Sequence, residues 1–153
     1  MYPDVTIHEA SWRDLLSIRA LEQACFEKDA WPLLDILGVL TFPGVVRLKA
    51  FVSGNTIGFV AGDRIRKNSI GRIITIAVLP QYRRKGVGRS LLLAAEDELN
   101  TPALQLVLRR SNSNALNLYQ KAAYRVVDTW PEYYKDGEDA IVMEKPGRTS
   151  PVL

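Results

Sequence analysis

Arg83, Gly86 and Gly88 stand in the stretch LPQYRRKGVGRSLL (residues 79–92) as R-x-x-G-x-G, with Arg84, Lys85 and Arg89 beside them. Cations next to bare backbone, at the head of an apolar helical run, are the parts of an anion cradle. The first turn of a helix has N–H groups with no intrahelical partner, and the macrodipole adds partial positive charge there. Glycine lets an anion approach those groups because no side chain intervenes. Arg and Lys add countercharge, so the stretch suits a pyrophosphate held mostly by main chain. Spacing excludes two common cradles, since the chain has neither G-x-x-x-x-G-K-[ST] nor G-x-G-x-x-G.

A second pair lies downstream. Asn112 and Tyr119 are seven residues apart, about two helical turns, so a helix beginning at Asn112 turns both to one side. Taken alone, Tyr119 is better read as a half-buried aromatic on an amphipathic stripe, and Asn112 as a helix cap, a role that can coexist with ligand binding.

These residues need elements to position them. GRIITIAVL (71–79) reads as a strand stopped by Pro80, and a helix follows from about Val87 to Leu99. ALQLVLR (103–109) is a further strand, and Ser111 or Asn112 caps the helix carrying Ala115, Leu116, Leu118, Tyr119 and Ala122. Upstream, DVTIHEAS (4–11) alternates as a first strand. Ser11 caps a helix whose stripe is Leu15, Leu16, Ile18, Leu21 and Ala24, and Trp31-Pro32 opens a second helix to about Leu40. Residues 45–53 and 56–65 read as strands joined by a Gly54-Asn55 hairpin, and 124–130 and 140–145 as the last two strands. The order β-α-α-β-β-β-α-β-α-β-β predicts a mixed α/β (α+β) domain over 1–146, with 147–153 as a flexible tail.

The totals agree with one domain: 153 residues, 47% hydrophobic and 24% charged. No apolar run approaches the roughly 20 residues of a membrane span, and no signal-peptide pattern opens the chain. One cysteine, Cys25, cannot form an internal disulfide, which fits a cytoplasmic protein. A net charge of +3 suits an anionic ligand. The basic cluster is short and lacks interleaved aromatics, so nucleic acid and membrane are not expected partners.

IAVLPQYRRKGVGRSLL (76–92) together with SNSNALNLYQKAAY (111–124) resembles the GNAT family, the Gcn5-related N-acetyltransferases. The first stretch is similar to their acetyl-coenzyme A motif and the second to their Asn-x-x-Ala-x-x-x-Tyr motif. Within the family, CFEKDAWP (25–32) and EYYKDGEDAIVMEK (132–145) resemble bacterial ribosomal-protein N-terminal alanine acetyltransferases. The resemblance implies a central mixed, mostly antiparallel sheet, splayed at the cofactor site, with helices on both faces. It implies acetyl-coenzyme A as cosubstrate, no metal, and direct attack of an amine on the thioester. The backbone of Ile76, Ala77 and Val78 is expected beside the pantetheine, with the Val78 N–H at the oxyanion. Arg83, Arg84, Lys85, Gly86, Val87, Gly88, Arg89 and Ser90 are expected around the pyrophosphate. Asn112 is expected on the pantetheine, and Tyr119 as acid to the departing thiolate. Phe26, Trp31, Tyr133 and Tyr134 are expected to line the acceptor groove, for a protein or peptide N-terminus bound by a monomer or weak homodimer. A small-molecule amine as acceptor, or a non-catalytic acyl-coenzyme A binding module, are the alternatives.

One position departs from the resemblance. The strand before Asn112 in the alanine enzymes carries a glutamate base, and Val107 stands there in this chain. The strand 71–79 offers only Arg72 and Thr75 as polar side chains. Glu132, Asp136 and Glu138 are carboxylates of the substrate-side loop and could act through water. An α-amine, with a pKa near 8, is roughly a tenth to a quarter neutral near pH 7 to 7.5, whereas a lysine near 10.4 is neutral below about one part in a thousand. Val107 therefore tilts the reading toward an α-amine or another amine of low pKa.

Overall fold

The structure is a computed structural model that describes residues 4–26, 29–65 and 69–147. Its elements in chain order are β1 (Thr6–Glu9), α1 (Leu15–Cys25), α2 (Leu33–Thr41), β2 (Val46–Val52), β3 (Asn55–Ile65) and β4 (Ile70–Val78). Then come α3 (Val87–Leu99), β5 (Ala103–Arg109), α4 (Ser113–Lys121), β6 (Arg125–Trp130) and β7 (Ala140–Pro146). Short 3-10 turns at Trp12–Asp14 and Pro80–Tyr82 lead into α1 and follow β4. The tail expected at 147–153 lies, beyond Gly147, outside the described residues.

The strands form one seven-stranded sheet in the order β1-β2-β3-β4-β5-β7-β6. Every neighbouring pair is antiparallel except β4–β5. Alternation along β5 sends Leu104, Leu106 and Leu108 to one face and Gln105, Val107 and Arg109 to the other. The leucine face meets α3 and α4, where Leu91, Leu92, Ala95, Leu99, Tyr119 and Ala122 are buried. The other face of the sheet carries α1 and α2, packed through Ile18, Leu21, Ile36 and Leu40 onto Phe59, Ala61 and Ala77.

Two local readings change. The hairpin turn between β2 and β3 is Ser53-Gly54, because Val52 pairs with Asn55. Both turn residues have positive φ, 49° and 83°, as a two-residue type I′ loop requires. On α1, Leu16 and Ala24 face solvent, and the inward stripe is Leu15, Ile18, Leu21, Glu22 and Cys25. The 3-10 turn before α1 sets this rotation. Ser11 and Asp14 form a reciprocal capping box, and Asp14 also takes Lys49 at 2.7 Å.

β4 and β5 meet over only three register pairs, Ile70↔Ala103, Gly71↔Leu104 and Arg72↔Gln105, and then part. Gly71 sits at this junction. A Cβ there would lie 2.5 Å from the Thr101 hydroxyl and 2.9 Å from a Leu104 methyl. Gly71→Val is expected to destabilise the fold by about 1–3 kcal/mol through overpacking. Urea unfolding checks this, and an unchanged midpoint would show that the junction can give way.

Candidate active site

The parting of β4 from β5 opens a cleft of about 1150 Å³. Its walls come from β4, β5, α4, the first turn of α3, the α1–α2 connection and the β6–β7 loop. Tyr119, Val78, Ile76, Ala77, Arg83, Arg84, Gly86, Gly88, Arg89, Asn112, Phe26, Trp31, Tyr133 and Tyr134 all line it. Three expected cofactor residues, Lys85, Val87 and Ser90, do not. The Val87 side chain is buried in the core under α3. The Ser90 N–H is already used inside the helix, donating to Gly86 O.

The register of β3 on β4 decides which β4 main-chain groups face the cleft. Leu79 N–H donates to Ile57 O, and Gly58 pairs with Val78. Hydrogen-bonded and non-bonded pairs alternate in an antiparallel ladder. Ile76 and Val78 therefore point their N–H and C=O groups away from β3, toward the strand that has parted. The Val78 carbonyl accepts from Arg83 Nε at 2.9 Å and from the Cys25 thiol at 3.4 Å. The Val78 N–H faces the open seam.

The first turn of α3 lies at one end. Gly86 is its N-cap with φ of +82°, Arg84 has φ of +60°, and no side chain caps the helix. The first-turn N–H groups thus face the cleft with Arg83, Arg84 and Arg89 around them. A Cβ on Gly88 would approach Leu118 at 3.5 Å and Val78 at 3.7 Å, filling space between α3 and α4. On α4, Asn112 Oδ1 accepts from the Ala115 N–H at 3.1 Å, which leaves its Nδ2 for another acceptor. Asn114, Asn117 and Lys121 also line the cleft. Their spacing of three and four residues makes a polar stripe, a signal present in the sequence beside the apolar one. Tyr119 is buried, and burial pushes its phenol above the usual range, so it stays protonated.

At the other end the wall is aromatic. Trp130 packs on Tyr133 and Tyr133 on Tyr134, with ring centroids 5.4 and 5.1 Å apart. Trp130 was not anticipated from the sequence. Arg109 stacks on Tyr134 at 4.1 Å and binds three carboxylates: Asp29 on two bonds, Asp136, and Glu138 at 2.8 Å. These partners outweigh desolvation and push the guanidinium's pKa up. Burial first, then the nearby Asp29, pushes the Tyr134 phenol up to about 12. The clamp changes the reading of the loop carboxylates as bases. Glu138 also accepts from Ser111 N–H at 2.7 Å, and these bonds hold its carboxyl below the usual range. Asp136 is tied to Arg109 as well, and Glu132 does not line the cleft. In CFEKDAWP, residues 27 and 28 lie outside the described residues.

Cys25 lines the cleft, and burial pushes its thiol up, so it is poorly suited as a nucleophile. Val107 lines the cleft on β5. Across from it, β4 bulges: Ala61 faces Thr75 but Gly62 faces Ile73, which makes Ile74 the extra residue. Behind Thr75 stands Glu22 of α1, 2% exposed. Thr75 Oγ1 donates to Glu22 Oε1 at 3.1 Å, and Oε2 is buried without a hydrogen-bond partner among the described residues. Burial raises its carboxyl to about 7, partly offset by the Thr75 bond. The helical period could have placed Glu22 inward, at i+4 from Ile18 and i−3 from Cys25, but a charged residue is rarely assigned to a core stripe. Among the described residues no cluster of His, Cys, Asp or Glu could hold a metal, and no helix is long and apolar enough to cross a membrane.

Residues 9–124 match the acetyltransferase (GNAT) family. The chain is 40% identical over 160 residues to an N-alpha-acetyltransferase of Saccharolobus solfataricus, covering 94% of this chain and 93% of that one. Among solved structures it is similar to the ribosomal-protein-S18-alanine N-acetyltransferase of Escherichia coli, at 27% identity and TM-score 0.84, over 96% of each chain. It is also similar to Ard1 of Thermoplasma volcanium, at 27% identity and TM-score 0.85, covering 94% of this chain and 98% of that one.

A raised carboxyl makes a stability prediction. The folded state holds the Glu22 proton more tightly than the unfolded chain, so this contribution is complete below pH 4.5. It is lost as pH rises through about 7. The full loss is on the order of 3 kcal/mol. Glu22→Gln has no proton to lose, so it is expected to melt higher than wild type at pH 8 and with little difference at pH 5. Equal melting differences at the two pH values would show that Glu22 is not raised.

Proposed function

The chain belongs to the GNAT family of acetyltransferases, and on that premise we propose that it transfers acetyl from acetyl-coenzyme A to the N-terminal α-amine of a protein or peptide. The observation that carries the reading is the open seam between β4 and β5. It puts an outward Val78 N–H, the buried Tyr119 phenol and the uncapped turn of α3 in one cleft. Relatives acting on α-amines support the acceptor. In this reading residues 1–146 form one acetyltransferase domain, placed in the cytoplasm.

The pyrophosphate lies at the first turn of α3, on the N–H groups beside Gly86 and Gly88, with Arg83, Arg84 and Arg89 as countercharge. Val87 takes part through its N–H, not its side chain. The pantetheine runs along the free edge of Ile76–Val78, and the Asn112 amide donates to it. Lys121, at the far end of α4, adds charge for an anionic end of the cofactor. The acceptor enters past Phe26, Trp31, Tyr133 and Tyr134. There one guanidinium faces three carboxylates, and the excess negative charge attracts an ammonium.

In the reaction the neutral amine nitrogen attacks the acetyl carbon. The Val78 N–H binds the oxygen as it becomes negative, worth about 3–4 kcal/mol for one such donor. The C–S bond then breaks as the nitrogen loses a proton to water, and Tyr119 protonates the leaving thiolate. Proximity supplies the rest, because amine and thioester are held in one cleft.

Acetyl-coenzyme A at a hundred times its Kd is expected to stabilise the chain by about 2.7 kcal/mol, read as a raised melting temperature. Thiol release over peptides with free N-termini, blocked peptides containing lysine, and polyamines is expected only with the first set. Release with polyamines alone would move the acceptor to a small molecule. Tyr119→Phe is expected to lower kcat on the order of a hundredfold with cofactor affinity unchanged. Unchanged kcat would remove Tyr119 from the chemistry.

A further inference from the structure

We propose that the proton lost by the acceptor amine passes, directly or through one water, to the Thr75 hydroxyl and from there to Glu22, which replaces the carboxylate that Val107 lacks. The inference rests on the acetyl-transfer reading above, and adds to it the path by which the amine becomes a nucleophile.

Geometry carries it. Thr75 lines the cleft on the face of β4 that meets α1, beside Cys25 and Phe26 at the mouth of the acceptor groove. The bulge sends Ile74 and Thr75 to that face in succession, and Thr75 shares it with Ala77, two residues on, so its hydroxyl meets α1. Glu22 is buried and does not itself line the cleft. Among the described residues its carboxyl takes one hydrogen bond, from Thr75 to Oε1, and Oε2 takes none. A carboxyl buried with one oxygen empty is costly in a core unless it has a use. The surrounding core of Ile18, Ile36, Phe59, Ala61 and Ala77 is apolar. The titratable and charged groups near it are Cys25, one turn on along α1, and Arg83, which donates to Val78 O and also acts on Cys25. Neither is an acceptor in its ordinary form at neutral pH. The carboxyl's raised affinity for a proton suits the role.

The step balances. The ammonium N–H breaks, and its proton joins Thr75 Oγ as the hydroxyl proton moves to Glu22 Oε1. The freed nitrogen pair forms the C–N bond, and the C–S pair leaves on sulfur and takes a proton from Tyr119. The nitrogen's second proton, made acidic by the new C–N bond, leaves to water. Between turnovers Glu22 releases its proton to water and Tyr119 regains one from it. Glu22 acts through Thr75 and is in that sense a positioning residue.

The test is the pH profile of kcat and KM on a peptide with a free N-terminus, for wild type, Glu22→Gln, Thr75→Val and Thr75→Ser. Wild type is expected to gain kcat/KM with rising pH, with a limb near neutrality that Glu22→Gln lacks. Glu22→Gln and Thr75→Val are expected to lose about a hundredfold in kcat, with acetyl-coenzyme A binding unchanged. Thr75→Ser, which keeps the hydroxyl, is expected to stay within a few-fold of wild type. Val107→Glu in the Glu22→Gln chain is expected to restore part of the rate by returning a carboxylate to β5. Glu22→Gln within twofold of wild type at every pH, or Thr75→Ser as impaired as Thr75→Val, would overturn the proposal. A wild type that binds acetyl-coenzyme A but acetylates no peptide would overturn the acceptor reading instead, and this inference with it.

Discussion

Everything at this site depends on β4 and β5 ceasing to pair. A sheet normally satisfies each main-chain N–H and C=O against a neighbour, and leaving one unpaired away from water is costly. Here two central strands hold together for three register pairs and then part. The parting is sustained from both sides. β5 pairs with β7 along its whole length, from Ala103↔Pro146 to Arg109↔Ala140. β4 is bound along its length to β3, with a bulge at Ile74 that bends it. Each strand is satisfied on its outer edge, so the inner edges can face a cleft. The N–H of Val78 is open to a ligand because the fold has withheld its strand partner.

The cleft so made has electrically different ends. At the α3 end the groups are N–H donors and arginines, and at the other the carboxylates of Asp29, Asp136 and Glu138 surround Arg109. Exposed ion pairs taken singly contribute little. Arg109 is different because it is mostly shielded, lies flat on Tyr134, and joins three chain segments far apart in sequence. Its work is to fix the α1–α2 connection and the β6–β7 loop against β5, so that the aromatic wall has one shape. The carboxylates it binds are thereby lost as bases. In the proposed function an anionic cofactor at one end and a cationic acceptor at the other meet across the seam.

Much of this was legible in the sequence, because the signals are local. R-x-x-G-x-G after a β-branched run and before an amphipathic helix fixes the cradle, since strand, turn and helix are contiguous. Asn112 and Tyr119 are coupled by helical period alone. The site residues that escaped notice depend on pairings across long stretches of chain. Arg109 meets Asp29 from eighty residues away, and nothing near either residue announces the other. Trp130 becomes a wall only because β6 lies beside β7. The α1 stripe was misread for a related reason. Apolar residues were given the inward positions, so Leu16 and Ala24 were placed inside and Glu22 was passed over. The capping box at Ser11 and Asp14 sets the phase of that helix and turns Glu22 to the core.

Glu22 also bears on why an α-amine is the acceptor. Proton transfer from a donor to a weaker base costs about 1.4 kcal/mol for each unit of pKa difference. An α-amine near 8 giving its proton to an ordinary glutamate near 4.3 faces about 5 kcal/mol. Against a carboxyl that burial has lifted to about 7, the same transfer costs little more than about 1.4 kcal/mol. A lysine near 10.4 still faces about 5 kcal/mol with the lifted carboxyl, so the gain is spent before lysine becomes competitive. A carboxylate on the half-buried, cleft-facing side of β5, at position 107, would keep more of its hydration and sit nearer its ordinary value. Moving the acid behind Thr75 puts it in an apolar core, where desolvation does the tuning. The cost of burying Glu22 and the choice of an N-terminus over a lysine then have the same physical origin.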